Sequence, residues 1–359
     1  METPQPAAVA ETPLTPEHRA AGAELANYSG CLLPKMFSDL EGEFRAARET
    51  VALFDTSWRA ILWLTGRDRV KYLHAISSNN IKDLAENYGV LALLLNPQGR
   101  ILAELEIYAL KEELLVFTHV SARERTFTTL KKYVIGSQVQ IADDTDRFGS
   151  IGLEGPQAAT VVAQITGLAL SGFSEFALAD VQIDGVDCRM VRRSHFGGEG
   201  VDIIAPREHL AIIWHSLHGN IHAVGGRPIG METIHALRLE ARVPWFPADF
   251  NDGMIPHEAA LENTHISFNK GCYTGQEIVE RVRSRGHVNR KRVSLKFSVA
   301  TPPTPGTKLS ANGAEIGFVT SSAFSPSANS AIGMGYVRKE QFAPGSMVDF
   351  EGGSAEVIA

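Results

Sequence analysis

Apolar residues recur at helical spacing over residues 41–53 (Phe44, Ala47, Val51), and a strand-like run at 61–64 follows, ended by Gly66. Val70, Leu73, Ala75 and Ile76 mark the next helix face. The apolar runs 90–95 and 101–110 flank Asn96, Pro97, Gln98 and Gly99, a turn signal that predicts a hairpin. Another strand at 114–120 and a helix at 123–134 complete the order strand, helix, hairpin, strand, helix.

That order then returns without obvious sequence identity. A strand at 151–153 precedes a helix opened by Pro156, a hairpin crosses Asp184 and Gly185, and a strand at 201–205 leads to a helix at 208–217. The pattern predicts two similar α+β units, at about 41–145 and 146–245, with a further helix between Pro228 and Pro244. Later the texture changes to short alternating runs at 293–299, 315–320, 331–337 and 347–350, separated by Pro, Gly and Ser, as in a small barrel or sandwich. The expected division is a leader at 1–17, an α+β body at 18–280 and a C-terminal β domain at 281–359.

Composition narrows this picture. The 359 residues are 44% hydrophobic and 21% charged, as in a soluble globular protein, and the length calls for more than one core. A formal net charge of -7 argues against a general polyanion binder. Residues 1–17, rich in Pro, Ala, Thr and Glu, lack the basic and apolar regions of a secretory signal and read as disordered. The sequence has no apolar run of the roughly 18 residues that a membrane helix needs. Cys31, Cys188 and Cys272 are odd in number and far apart, which points away from a disulfide framework or zinc site and fits a reducing cytoplasm.

The densest chemistry lies in Lys270, Gly271, Cys272, Tyr273, Thr274, Gly275, Gln276 and Glu277, at the seam between body and β domain. Two glycines let the backbone turn sharply around the cysteine. Thr274 and Glu277 have the spacing of a capping box for a helix opened at Gly275. A cysteine before a helix N-terminus, with Lys270 beside it, has two reasons to ionise readily. The bland alternative is a small buried hydrophobe in a turn.

This run, with Ile266, Ser267, Phe268 and Asn269 before it and Ile278 and Val279 after it, resembles the signature of the YgfZ family of folate-binding proteins. These are relatives of the glycine cleavage T-protein whose mitochondrial cousins assist iron-sulfur cluster assembly. The similarity extends over 52–57 (ALFDTS), 93–107, 236–241 (ALRLEA) and 323–326 (AFSP). It implies the T-protein fold, two α+β units and a C-terminal β-barrel around a central hole that holds tetrahydrofolate.

Carried over by residue, the resemblance places Ala103 where the T-protein has its catalytic aspartate and Glu104 where it has the second acid. Gly99 and Arg100 take the place of the family's glycine pair. An alanine can neither orient nor exchange a proton with a folate nitrogen, which argues against ordinary aminomethyl transfer. Glu104 would reach the hole only if the strand slipped by one residue. His119 matches a family asparagine, Glu199 a pterin-binding glutamate, and Arg238 aligns cleanly. A pterin's donor and acceptor edge suits a carboxylate such as Glu199. Glu199 also reads as a solvated turn residue, and Arg238 as a structural ion pair with Glu240 or Asp202.

Residues 281–292 carry Arg281, Arg283, Arg285, Arg290, Lys291 and Arg292 without an acid, a pattern for an anionic partner or a solvated basic strand. His257, His265 and His287 flank Cys272, but their spacing fits no standard metal-ligand pattern. The favoured expectation is a monomeric tetrahydrofolate-binding accessory protein that serves iron-sulfur enzymes, including those that thiolate tRNA, with Cys272 as its functional thiol. A folate-dependent aminomethyltransferase is the alternative, and an interaction module built on the basic segment is a third reading.

Overall fold

The chain, described by a computed structural model over residues 9–358, begins with β1 (Ala10–Glu11), α1 (Thr15–Ala20), β2 (Glu24–Tyr28) and β3 (Cys31–Met36). Part of the expected leader is thereby corrected. β1 pairs with β3, while Leu14, Thr15 and His18 are buried, His18 against the Asp55 carboxylate at 2.9 Å. Leu14, together with the bonds of Thr15 to Thr12 and of His18 to Asp55, ties down a segment whose composition reads as disordered. Residues 1–8 lie outside the described residues.

The first unit is built from β5 (Arg59–Thr65), α3 (Arg69–Ile76), β6 (Tyr88–Leu95), β7 (Ile101–Ala109), β8 (Glu113–His119), α4 (Arg123–Lys132) and β9 (Gln140–Asp143). Its sheet has the order β6-β7-β8-β5-β9. Between β3 and β5 come α2 (Leu40–Glu49) and β4 (Ala52–Asp55). β4 does not join the first sheet. It pairs with β10 (Phe148–Glu154) in the second, so the boundary expected near 41 is not a structural one. Every residue of β4 is buried, and an apolar strand carries no mark of which sheet it will complete.

The second unit adds α5 (Ala158–Thr166), β11 (Leu178–Ile183), β12 (Val186–Arg192), β13 (Gly200–Pro206), α6 (Leu210–Ala223) and the short β14 (Arg227–Pro228). Its sheet runs β11-β12-β13-β10-β4-β14. The two sheets meet face to face through Ile61, Trp63, Tyr108, Leu115 and Phe117 of one and Leu178, Val191 and Ile204 of the other. The period-two alternation of strands explains the layering. In β5, Ile61 and Trp63 face the other sheet while Leu62 and Leu64 enter the core beneath the helices.

After α7 (Met231–Glu240) the chain loops back across the first unit to α8 (Gln276–Arg285). It then forms a closed six-stranded barrel from β15 (Arg290–Phe297), β16 (Lys308–Ala311), β17 (Ala314–Ser325), β18 (Ser330–Arg338), β19 (Met347–Phe350) and β20 (Gly353–Ile358). The barrel thus starts after α8, and Arg281, Arg283 and Arg285 lie on a helix, where a spacing of two does not put side chains on one face. Among the described residues no helix is long and apolar enough to cross a membrane.

Candidate functional site

At one edge of the layer between the sheets lies a narrow cavity bounded by Trp58, Arg59, Glu104, Glu106, Phe117 and His119, with Arg193, His195 and the segment Val243–Phe246 closing it. Its volume of about 70 Å³ is room for a few water molecules. Trp58 and Trp245 lie 5.0 Å apart at one wall, and the Arg59 guanidinium covers the Phe117 ring at 3.8 Å.

Strand β7 supplies the acids. Ile101, Ala103, Leu105 and Ile107 belong to the apolar core beneath the helices, so Glu104 and Glu106 face the opposite way, into the cavity. The β6–β7 pairing carries a bulge beside its turn. β6 pairs Leu94 with Ala103 and then Leu95 with Ile101, so the register shifts by one residue next to the turn. Ile101, Ala103, Leu105 and Ile107 keep to one face on both sides of this shift, so the alternation of β7 is unbroken. Glu104 thus lines the cavity, and Ala103 is a fully buried core residue.

Glu104 keeps 28% of its side chain exposed and bonds through Oε1 to His265 Nε2 at 2.9 Å. His265 is anchored in turn by Thr264 Oγ1 at 2.7 Å from Nδ1. His119 ends β8 with its Nδ1 2.7 Å from Ser121 Oγ, and burial pushes its imidazole down to about 4, against the opposing pull of Glu104.

Behind Glu104 is a closed ionic network. Arg59 donates to Asp202 and, at 2.8 Å, to Glu106, which also accepts from Arg193 at 3.0 Å and from the Tyr108 hydroxyl. His195 sits 2.9 Å from Asp202. Burial works against charge on Glu106 and Asp202. The guanidiniums prevail at Glu106, and His195 with Arg59 at Asp202, so both carboxyls are held below the usual range. These acids are committed, whereas Glu104 still faces the cavity.

The other expected ligands lie elsewhere. Glu199 is 56% exposed and 3.6 Å from Arg192, and it does not line the cavity. Its loop is instead organised by the buried Glu154, which accepts from the amides of His195, Phe196 and Gly198 and from the Ser194 hydroxyl. Arg238 is fully buried and paired with Asp249 at 2.6 Å, rather than with Glu240 or Asp202. Asp249 also accepts from Thr320 and Ser321, so this pair ties α7 to the barrel.

The cysteine motif divides into separate tasks. Lys270 is buried and its ammonium donates to the carbonyls of His74, Ser77 and Asn79, capping the C-terminal end of α3, while burial pushes its pKa down to about 8. It is therefore turned into the body. Cys272 is exposed, whereas Cys31 and Cys188 are buried. Tyr273 enters the core, and Gly271 is in open space. Gly275, with φ +83°, is the N-cap of α8 without a side-chain cap, so the expected Thr274–Glu277 box is replaced. A Cβ on Gly275 would lie 2.6 Å from the Asn96 carbonyl oxygen, which requires glycine where the motif meets the β6–β7 turn. Gln276 and Glu277 form the first turn of α8.

In the basic segment, Arg290 pairs with Glu258 at 3.1 Å and Arg292 donates to the Ala259 carbonyl at 2.9 Å. Arg281 and Arg283 are exposed, and the side chain of Arg285 lies outside the described residues. Among the described residues no group of three or more His, Cys, Asp and Glu is placed to hold a metal ion.

Trp58, Arg59, Glu106, Arg193, His195, Trp245 and Phe246 were not anticipated. The Glu104–Glu106 pair was legible, since acids at period two against Ala103, Leu105 and Ile107 place two carboxylates on one strand face. The remainder converge from distant parts of the chain.

Residues 14–270 match the GCVT N-terminal domain family and residues 290–357 the glycine cleavage T-protein C-terminal barrel domain. An aminomethyltransferase of Desulfitobacterium hafniense is 27% identical over 339 residues, 94% of this chain and 92% of that protein. One from Streptomyces coelicolor is 29% identical over 341 residues, 93% and 91% of the respective chains. Among solved structures, the glycine cleavage system aminomethyltransferase T from Bartonella henselae superposes with a TM-score of 0.90 at 25% identity, covering 98% of this chain and 97% of that one.

Proposed function

The chain belongs to the glycine cleavage T-protein family, and from that premise we propose that it binds a reduced folate in the central cavity and acts as an aminomethyltransferase. The observation that carries this reading is Glu104, the carboxylate that lines the cavity and that His265 holds. The fit rests on the wall chemistry. Aromatic rings of Trp58, Phe117, Trp245 and Phe246 suit a flat heteroaromatic, and Glu104 offers the acceptor that its hydrogen-bonding edge requires. A reduced folate, when bound, supplies the nitrogen that accepts the one-carbon unit.

The residues of this chain set the conditions for that chemistry. Glu104 holds or releases a proton at its cavity-facing oxygen, and His265 fixes its orientation. Arg59 and Arg193 keep Glu106 ionised and fully engaged, so it does not compete for the same proton. The aromatic walls and the Val243–Phe246 segment narrow the cavity around the carboxylate, so a bound ring would displace water from it.

The test is incubation of the pure protein with tetrahydrofolate and an aminomethylated lipoyl carrier, with methylenetetrahydrofolate as readout. Turnover in wild type, reduced about 10²- to 10⁴-fold in Glu104→Gln, is expected. Folate binding without turnover would sink the transferase reading.

A second reading, the iron-sulfur accessory role, is favoured by one observation: the motif cysteine is the exposed one of the three. Cys272→Ala and Cys188→Ala are compared in a strain lacking the protein. Failure of Cys272→Ala alone supports that role, and equal rescue by both removes the thiol from it.

A further inference from the structure

A second pocket, of about 560 Å³, opens between α8, the 257–268 segment and the start of the barrel, with His257, Glu262, Phe268, Arg283, Lys291 and Lys339 among its walls. Its size lies within the roughly 300–1,000 Å³ range of small-molecule sites. The Lys339 amide donates to the Asn289 carbonyl at 3.1 Å, closing the barrel side of the pocket onto the segment that follows α8.

Its polar groups are incomplete. Both ring nitrogens of His257 are buried without a hydrogen-bond partner, and so is Glu262 Oε2. The other Glu262 oxygen is 3.9 Å from Lys291 Nζ. Burial pushes the His257 imidazole down, with Lys291 and Arg283 adding to it and Glu262 and Glu280 opposing, so the ring is neutral and presents one donor and one acceptor. Buried polar atoms are ordinarily satisfied, and three orphans in one pocket mark places where a bound molecule makes hydrogen bonds.

The rest of the lining indicates its character. Arg283, Lys291 and Lys339 outnumber Glu262 in the lining, a balance that suits an anionic group, although Arg283 also lies 3.6 Å from Glu280. The Arg283 guanidinium lies 4.2 Å from the centroid of Phe268, and Phe342 lies across the pocket lining, so flat apolar surface is available as well. We propose that this pocket binds a nucleoside phosphate, with hydroxyl groups on His257 and Glu262, phosphate on the lysines and Arg283, and the base against the phenylalanine rings. Neither inorganic phosphate nor an amino acid would use all three features.

Isothermal titration of the full-length protein with adenosine 5′-monophosphate, ribose 5-phosphate and inorganic phosphate tests this. The nucleotide is expected to bind tightest and inorganic phosphate weakest. His257→Gln and Lys339→Ala should each weaken the nucleotide about tenfold or more, the loss expected when a charged or buried partner is removed. Lys339 is exposed, so its variant keeps the fold, and thermal melting checks the His257 variant. Glu104→Gln, in the central cavity, should leave nucleotide affinity unchanged. Absence of heat with the nucleotide, equal affinity for inorganic phosphate, or affinity indifferent to both pocket variants would overturn the assignment.

Discussion

Glu104 on β7 and His265 on the segment returning from α7 are 161 positions apart in sequence and share a 2.9 Å hydrogen bond at the edge of the central cavity. The histidine is almost fully buried and the carboxylate is not, so the pair has a fixed half and a half open to the cavity. His265→Asn is expected to lower turnover about 10-fold, less than Glu104→Gln, with little change in KM. Steady-state kinetics on both variants checks this, and equal losses in kcat would contradict a positioning role.

Restoring the family aspartate should not help. Ala103 is fully buried among Leu105, Ile107 and their neighbours, so Ala103→Asp places an unpaired carboxylate in apolar core. Destabilisation of about 3–5 kcal/mol in urea titrations is expected, without gain of turnover. A stable, more active variant would show that position 103 faces the ligand.

The Arg238–Asp249 pair joins α7 to the barrel through Thr320 and Ser321. Breaking a buried pair from one side leaves the other charge unmatched, so Asp249→Asn should cost about 3–5 kcal/mol. A double-mutant cycle with Arg238→Met should give a coupling of about 1–3 kcal/mol. Additive losses would mean that the pair does not act as a unit.

Acid sensitivity should appear in two stages. Burial holds His119 at about 4, and burial with the Arg238 charge holds His235 at about 3, whereas unfolded histidine titrates near 6.5. Below pH about 6.5 the unfolded chain takes up protons that the fold refuses, so stability falls from there towards pH about 4. Asp55, Glu106, Asp202 and Asp249 have depressed values, so their contribution is complete above about 4 and is lost as pH drops through those values. Urea midpoints against pH should decline below about 6.5 and more steeply below about 4. His119→Gln should shallow the first stage.

Thiol labelling distinguishes the cysteines directly. Cys272 is exposed, while burial raises the thiol pKa of Cys31 and pushes Cys188 up to about 11. Native protein should add one alkyl group rapidly by mass spectrometry, at Cys272, and the remaining two only on unfolding. Lys270→Met, which strips the cap from α3, should destabilise by about 1–3 kcal/mol. Cys272→Ser should stay within about 0.5 kcal/mol of wild type, since its side chain is exposed.

Much of this protein was decided locally and is legible in its sequence. Apolar runs marked β5 and β8, alternation at period two marked β7, the Asn96–Gly99 turn set the hairpin, and the two α+β units and barrel follow from the order of such runs. Gly275 of the motif also marks a close approach, since it has no room for a side chain against Asn96. What tertiary structure alone decided is where side chains end up after the chain has crossed itself. Packing put Glu104 beside His265 and Ala103 in the core, because alternation separates the two faces of β7 but does not say which face meets the cavity. Arg238 was drawn to Asp249 and Lys270 to the end of α3 because buried charges take whatever partners packing brings near. Neither choice is written in local spacing.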